Sequence, residues 1–291
     1  MQPLIDADIF LYEVGFGVEV GWDEPGYPPF DRAATLLDTK VQQICAAVGA
    51  TAPPILFLTG KGNFRYDIAK RVPYKSRPAN KPFHYKNIKA YIKGMYDYRE
   101  SKGMEADDLM AIEQVGRDAA ILAGSLSEDL RSIICSRDKD LRQVPGMFYS
   151  WECGNQPSFG PMLVDTLGSL RLSEDGKKLH GTGQSFLHSQ CLTGDTVDSI
   201  PGLGGRTGPV KAYKILKDCK TVEELHIAVL SSYTNMYGEE LGKEHMLEQM
   251  RLLNMTRELI NGNPVIWSFP ETNNKEYFDL NTRTIERTAD V

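Results

Sequence analysis

Eight carboxylates fall into four short clusters along the chain: Asp6; Glu105, Asp107 and Asp108; Asp138 and Asp140; and Asp195 and Asp198. Small knots of acid drawn from several segments suit hard divalent cations, which take oxygen ligands. The most basic stretch of the chain lies between the first and second clusters. From Lys61 to Lys102 there are twelve Lys and Arg against three acids, so this window carries +9 and the remainder −15 of a net charge of −6. A chain that is acidic overall but focuses positive charge in one segment can still attract a phosphate polymer. Acid for metals beside base for phosphates points to metal-assisted phosphodiester chemistry.

Each cluster also has a plainer structural use. Asp6 closes the apolar run Leu4-Ile5, where Asp often caps a turn. Asp8 points to the opposite face if that strand continues, which makes it the weaker candidate. Glu105 and Asp108 are three apart and share a helical face with Asp107 beside them, and first-turn acid is favoured by the helix dipole alone. Asp138 and Asp140, spaced i and i+2 after a strand, reach one cavity or form a solvated turn. Asp195 and Asp198 face the same way over one turn, or cap a helix start.

In the basic stretch, Lys61, Arg65, Lys70, Arg71, Lys75, Arg77, Lys81, Lys86 and Lys89 are interleaved with Phe64, Tyr66, Tyr74, Phe83 and Tyr85. Cations bind phosphates and rings stack on unpaired bases, so this pattern favours nucleic acid. Tyr91, Met95 and Tyr98 would be the apolar face of a helix, and His84 a surface or phosphate-proximal residue. His188 with Cys191 gives only a weak hint of a Cys–His nucleophile. Gly202, Gly204, Gly205, Arg206, Gly208 and Lys211 form a glycine-rich turn entering a helix. It lacks the Gly-Lys-Ser/Thr ending of a nucleotide-binding loop, and suits a polymer phosphate at a helix start.

The elements that must position these residues follow from apolar patterning. Short apolar runs at 4–8, 55–58 and 132–136 predict buried strands of a parallel sheet. Segments 31–48 and 105–122 have helical periodicity, the second with Leu109, Ile112 and Val115 on one face. Residues 147–151 predict a further strand, and 170–179 a hairpin. The expected division is an α/β core over 1–183 with a basic helical segment at about 66–103, a mostly helical subdomain over 184–270, and a loosely packed polar tail over 271–291. The chain has 291 residues, 41% apolar and 25% charged, which is ordinary for a globular enzyme. Five scattered cysteines predict reduced thiols rather than a zinc site. No 18-residue apolar run or secretory leader is evident, so a cytoplasmic protein without membrane attachment is expected.

In family order, the same residues resemble the structure-specific 5′-nuclease (flap endonuclease) superfamily, in particular phage 5′–3′ exonucleases and the 5′-nuclease domain of bacterial DNA polymerase I. The resemblance rests on Leu4-Ile5-Asp6-Ala7-Asp8, Phe64-Arg65 with Tyr74-Lys75, Glu105-Ala106-Asp107-Asp108, Ser136-Arg137-Asp138-Lys139-Asp140-Leu141, and Gly194-Asp195-Thr196-Val197-Asp198 with the glycine turn behind it. It spans about residues 4–215. It implies a mostly parallel sheet flanked by helices, a PIN-like core with a helical arch and a C-terminal helix–turn–helix that binds DNA. It further implies two Mg²⁺ or Mn²⁺ ions. Asp6, Glu105, Asp107 and Asp108 would serve the first, Asp138 would lie near both, and Asp140, Asp195 and Asp198 would serve the second. Arg65 and Lys70 or Lys75 would steer the scissile phosphate, and the glycine turn would hold duplex DNA and a K⁺ ion. The implied activity is 5′–3′ exonuclease and 5′-flap endonuclease action on DNA, by a monomer that serves replication or repair and is phage-encoded. An RNA-directed nuclease of the same fold and a non-catalytic DNA-binding protein are the alternatives. Two departures stand out. Thr59 or Gly60 occupies the place of an acid found in many members, for which Asp67 is a displaced substitute, and Arg77 follows Tyr74-Lys75 one residue early.

Overall fold

The computed structural model describes residues 1–76, 80–270, 272 and 274–288. In chain order the elements are β1 (Gln2–Asp6), α1 (Asp8–Glu19), α2 (Phe30–Ala47), β2 (Ile55–Lys61), α3 (Arg65–Ile68), α4 (Tyr85–Met95), β3 (Asp97–Lys102), α5 (Ala106–Leu122), β4 (Ser132–Cys135), β5 (Gly146–Ser150) and β6 (Phe159–Val164). There follow β7 (Leu170–Leu172), β8 (Leu179–Gly181), α6 (Gly183–Thr193), α7 (Pro209–Leu216), α8 (Val222–Tyr237), α9 (Glu239–Leu253), β9 (Leu259–Ile260), β10 (Asn263–Ile266), β11 (Glu276–Asp279) and β12 (Thr284–Arg287). The chain divides into two units. The first holds residues 1–62, 78–139 and 146–163, and the second 63–77, 140–145 and 164–291.

The first unit is built on a six-stranded sheet of order β3-β2-β1-β4-β5-β6. The pairs β1/β2, β1/β4, β2/β3 and β4/β5 are parallel. β1 and β4 are buried almost throughout, which is why they read as unbroken apolar runs rather than alternating ones. One face packs Ile5, Leu56, Leu58, Ile133 and Cys135 into a cluster with Phe10, Leu11 and Val14 of α1, Leu37, Val41 and Ile44 of α2, and Ile88 and Ile92 of α4. α5 packs on β1, β2 and β4 through Met110, Ala111 and Gln114, whose Oε1 accepts the Ile134 N–H at 3.1 Å. The strand order reverses between β1 and β4. Chain leaving their carboxyl ends therefore diverges, and this is where open α/β sheets hold ligands.

In the second unit, α6 to α9 pack together, with a four-stranded sheet of order β12-β11-β10-β9 and the β7/β8 hairpin. The carboxyl end of α9 is its anchor. Arg65, fully buried, donates from Nε to the Leu252 carbonyl and from Nη2 to the Asn254 carbonyl, both at 2.9 Å, and stacks on Phe64. A guanidinium there neutralises the negative helix end and satisfies carbonyls that have no partner within the helix. Gln143 donates to the Leu253 carbonyl and accepts the Met255 N–H, and Glu248 accepts the N–H groups of Lys70 and Arg71. These bonds draw residues 63–77 and 140–145, distant in sequence, into this unit.

Four expectations change. First, residues 66–103 do not form one helical arch, because 63–77 belong to the second unit while α4 and β3 belong to the first. α4 turns Ile88 and Ile92 inward, Met95 is exposed, and Tyr98 lies on a strand. Second, the buried face of α5 is formed by Met110, Ala111 and Gln114, not by Leu109, Ile112 and Val115, because a helix start buried on a sheet turns its acidic first turn inward as well. Third, the tail is not loose where it is described. β11 and β12 pair along four positions, and buried Glu276 bonds Arg251 and Arg287. Fourth, the second unit is not purely carboxyl-terminal, since it takes in 63–77 and 140–145. Among the described residues, no helix is long and apolar enough to cross a membrane.

Replacing Arg65 by Met keeps the stem volume but strands the carbonyls of Leu252 and Asn254. Arg65→Met is expected to destabilise the protein by about 2–4 kcal/mol, read as a lower midpoint in urea unfolding; an unchanged midpoint would remove the anchoring role.

Candidate functional site

Asp6 ends β1 at the strand-order reversal, and its carboxylate is fully buried. Ser136, just past β4, donates from Oγ to Asp6 Oδ2 at 2.7 Å, and the Asp138 N–H donates to Ser136 Oγ at 2.9 Å. The Asp8 N–H donates to Asp6 Oδ1 at 3.2 Å. The turn after β4 thus hangs on the Asp6 carboxylate, which brings Asp138 beside it. Burial above all, then the charges of Asp8 and Asp138, pushes the Asp6 carboxyl up to about 8, against the Ser136 hydrogen bond. Asp8 is also raised, first by burial and lastly by Glu105, while bonds from Thr59 and the charge of Lys89 pull it down. Asp6 therefore lies in the field of Asp8 and Asp138, and Asp8 in that of Glu105.

Glu105 and Asp108 form a reciprocal capping box at the start of α5. The Glu105 side chain accepts the Asp108 N–H, and Asp108 Oδ2 accepts the Glu105 N–H at 3.2 Å. The plain helix-cap reading of these two acids holds, and it also fixes both side chains in the buried edge of the first unit. Asp107 lies outside the box and is half-buried. The donor set is all oxygen and electrostatically short of positive charge, which fits a hard cation in chemistry. As the side chains stand, no group of three or more His, Cys, Asp or Glu among the described residues is arranged to hold an ion.

The remaining three acids belong to the second unit. Asp140 is buried and accepts from Gln190 Nε2 at 2.6 Å. Asp195, buried, accepts the N–H groups of Val197 at 2.8 Å and Asp198 at 3.3 Å. Asp198 accepts from the Tyr74 hydroxyl at 3.0 Å, and the Lys75 ammonium lies 3.8 Å from it. Lys75 also donates its N–H to the Asp198 carbonyl, with its backbone in the left-handed region.

Among the basic candidates, Arg65 is corrected: buried and committed to the end of α9, it presents no guanidinium to a phosphate. Lys89 is corrected as a DNA contact, because its ammonium donates to the Thr59 carbonyl at 2.7 Å and pairs with Glu100 at 3.0 Å. Lys61, Lys70, Lys75, Lys81 and Lys86 are exposed, and Lys81 lies over the Tyr85 ring. Arg71 lies over Tyr237 and donates to the Gly202 carbonyl at 3.4 Å. Arg77 lies outside the described residues. The turn at 202–208 connects α6 to α7, with Gly202, Gly204, Gly205 and Arg206 at positive φ. Arg206, Gly208, Pro209, Val210, Lys211 and Lys214 line an open depression of about 350 Å³ at the start of α7.

His84 is buried, its Nε2 2.6 Å from the Pro28 carbonyl, so it is not a surface histidine. His188 is pulled down to about 4 and Cys191 pushed up to about 12, both chiefly by burial, which leaves no thiolate nucleophile. Asp67 is paired with Arg283 of the second unit and stands in for no other acid. The residues that sequence reasoning underrated are Asp8, Thr59 and Ser136. The signal for Asp8 was present: Phe10, Leu11 and Val14 carry helical spacing from Asp8 onward, so the strand stops at Asp6.

No protein family model matches the sequence, and no curated protein matches it. Solved structures do match. A crystal structure of the T5 D15 protein co-crystallised with metal ions aligns over 87% of this chain and 89% of its own, at 16% identity and a TM-score of 0.54. The T5 5′-exonuclease with bound divalent metal ions (zinc) aligns over 86% and 89%, at 16% identity and a TM-score of 0.51. The chain has the fold of these two structures.

Because the Asp6 carboxyl is raised from 3.8 to about 8, the folded state holds its proton more tightly than the unfolded chain does. That contribution is full below about pH 4 and is lost as the pH rises through about 8. In EDTA, Asp6→Asn is expected to melt above wild type near pH 8–9, with the gap closing towards about pH 4. Melting curves across that range check this, and a gap independent of pH would refute it.

Proposed function

We propose that the chain is a divalent-metal-dependent nuclease that hydrolyses DNA phosphodiesters near 5′ ends, as a 5′–3′ exonuclease and 5′-flap endonuclease. The observation that carries this reading is the buried Asp6 at the β1/β4 reversal, tied through Ser136 to the turn of Asp138 and through its other oxygen to the Asp8 N–H. The fold match to proteins described as a 5′-exonuclease and as crystallised with metal ions supports it.

Asp6, Glu105, Asp107, Asp108 and Asp138 would hold one Mg²⁺ or Mn²⁺, and Asp140, Asp195 and Asp198 a second. When bound, such ions supply a water of lowered pKa and offset charge on the leaving oxygen. The chain's own residues orient and bind. Ser136 bonds both the Asp6 carboxylate and the Asp138 N–H, which fixes the turn that carries Asp138. Lys70 and Lys75, exposed in the second unit, would offset phosphate charge. Arg206, Lys211 and Lys214, with the N–H groups at the start of α7, would take a duplex phosphate. Carbonyls of the glycine turn would take a K⁺ ion. The preference for deoxyribose over ribose belongs to this proposal, and paired deoxy- and ribo-flap substrates separate the two.

Asp138→Asn is expected to bind a 5′-flap duplex normally but to cut it on the order of 10³-fold more slowly in Mg²⁺. Product gels with and without EDTA decide this, and unchanged cleavage would refute the assignment. Lys211→Ala should weaken duplex binding alike for all sequences and lower the slope of log K against log salt by about 1. An anisotropy titration over a salt series measures this, and an unaltered slope would exclude a phosphate at that residue.

A further inference from the structure

Thr59 lies near the end of β2, and all three of its polar groups are committed. Its N–H donates to both oxygens of Asp8, at 3.1 and 3.0 Å. Its carbonyl accepts from the Lys89 ammonium at 2.7 Å. Its Oγ1 accepts the Ala106 N–H at 2.9 Å, and Ala106 opens α5 immediately after Glu105. Asp8 is therefore joined to the acidic helix start through a single residue. It is a half-buried carboxylate for which the proposed chemistry has given no task.

Gly60 shows why this carboxylate comes from α1 rather than from β2. A Cβ on Gly60 would lie 2.0 Å from the backbone oxygen of Ser101, and the β2/β3 pairing shifts register between Leu58 and Lys61. Residue 60 can carry no side chain of any kind while β3 keeps its place. The neighbouring Thr59 has spent its side chain on α5. Asp8, at the start of α1, takes up the Thr59 N–H.

We propose that Asp8 is a positioning residue for the acidic site: by holding Thr59 N–H it sets the Thr59 hydroxyl against Ala106, and so fixes where Glu105 and Asp107 stand. This deepens the nuclease reading and rests on it. Partners one step removed from a metal fix the orientation of its ligands, and their loss typically weakens metal binding or activity about 10–100-fold.

The test uses the full chain with Mn²⁺ as the probe, followed by its electron paramagnetic resonance signal, and a 5′-flap duplex as substrate. Asp8→Ala should weaken Mn²⁺ binding by about 10–100-fold and lower kcat, with the KM for DNA unchanged. Asp8→Asn, whose amide oxygen still accepts from Thr59 N–H, should recover most of that loss. Thr59→Val keeps its N–H but offers no acceptor to Ala106, and should lose Mn²⁺ affinity with Asp8 intact. Melting curves monitor folding of each variant. If Asp8→Ala does not fold, the order wild type, Asp8→Asn, Thr59→Val still decides the matter. Mn²⁺ affinity unchanged in a folded Asp8 or Thr59 variant would overturn the proposal, as would Asp8→Asn behaving no better than Asp8→Ala. A wild-type chain that neither binds Mn²⁺ nor cleaves in Mg²⁺ would instead overturn the nuclease reading itself, and this inference with it.

Discussion

A buried carboxylate at the end of a central parallel strand is the constraint around which the first unit is organised. An ionised group there is costly unless hydrogen bonds and opposite charge reach it. The fold supplies the bonds, from Ser136 and from the Asp8 N–H, and then adds further negative charge from Asp8 and Asp138. A fold selected for stability alone would place Asn or Ser at this point. The strand-order reversal beside β1 makes the arrangement possible, since it is the one place along the sheet edge where chain from β1 and from β4 can part around a guest.

The second unit solves a different problem by the same means. Its four helices and small sheet must recruit two short segments from far earlier in the chain. They do so through the carboxyl end of α9, where unpaired carbonyls and a negative helix pole would otherwise be left buried. Arg65 and Gln143 meet that need, and Glu248 a turn earlier takes the N–H groups of Lys70 and Arg71. Lys70 owes its placement to this anchoring, while Lys75 is held by the Asp198 carbonyl and Asp140 by Gln190 of α6. A residue that looks catalytic by its neighbours in sequence, Arg65, proves to be the fastening that presents the lysines around it.

Much of this was legible in the sequence, for reasons that can be traced. Runs such as Leu4-Ile5-Asp6 and Ile133-Ile134-Cys135 read correctly because a strand covered on both faces has no polarity to alternate. The helix at 106–122 was legible from its acidic start, since a capping box and a candidate metal knot require the same residues. What failed were inferences from charge. The window from Lys61 to Lys102 is basic as a sum, yet Arg65 and Lys89 spend their charge inside the fold, and the window is divided between two units. Net charge records how many cations a segment has and not which of them face solvent. The polar tail misled for a related reason: Glu276 is a buried acid, held there by Arg251 and by the exposed Arg287.

Thr59 and Gly60 show the same divergence between chain order and three-dimensional placement. Read along the chain, Thr59-Gly60 is a gap where an acid is missing. In three dimensions, Gly60 is the only residue type the backbone of Ser101 permits, and Asp8 delivers its carboxylate to the N–H of Thr59 from another element. A site assembled from strand ends has several routes by which a carboxylate can reach one point, because β1, β2 and the start of α5 converge there. Sequence position is then a weak guide to which charge is present, while the count of carboxylates around the point is a strong one. A carboxylate arriving from another element can thus order the start of α5 through Thr59, although no acid stands at 59 or 60 in the chain.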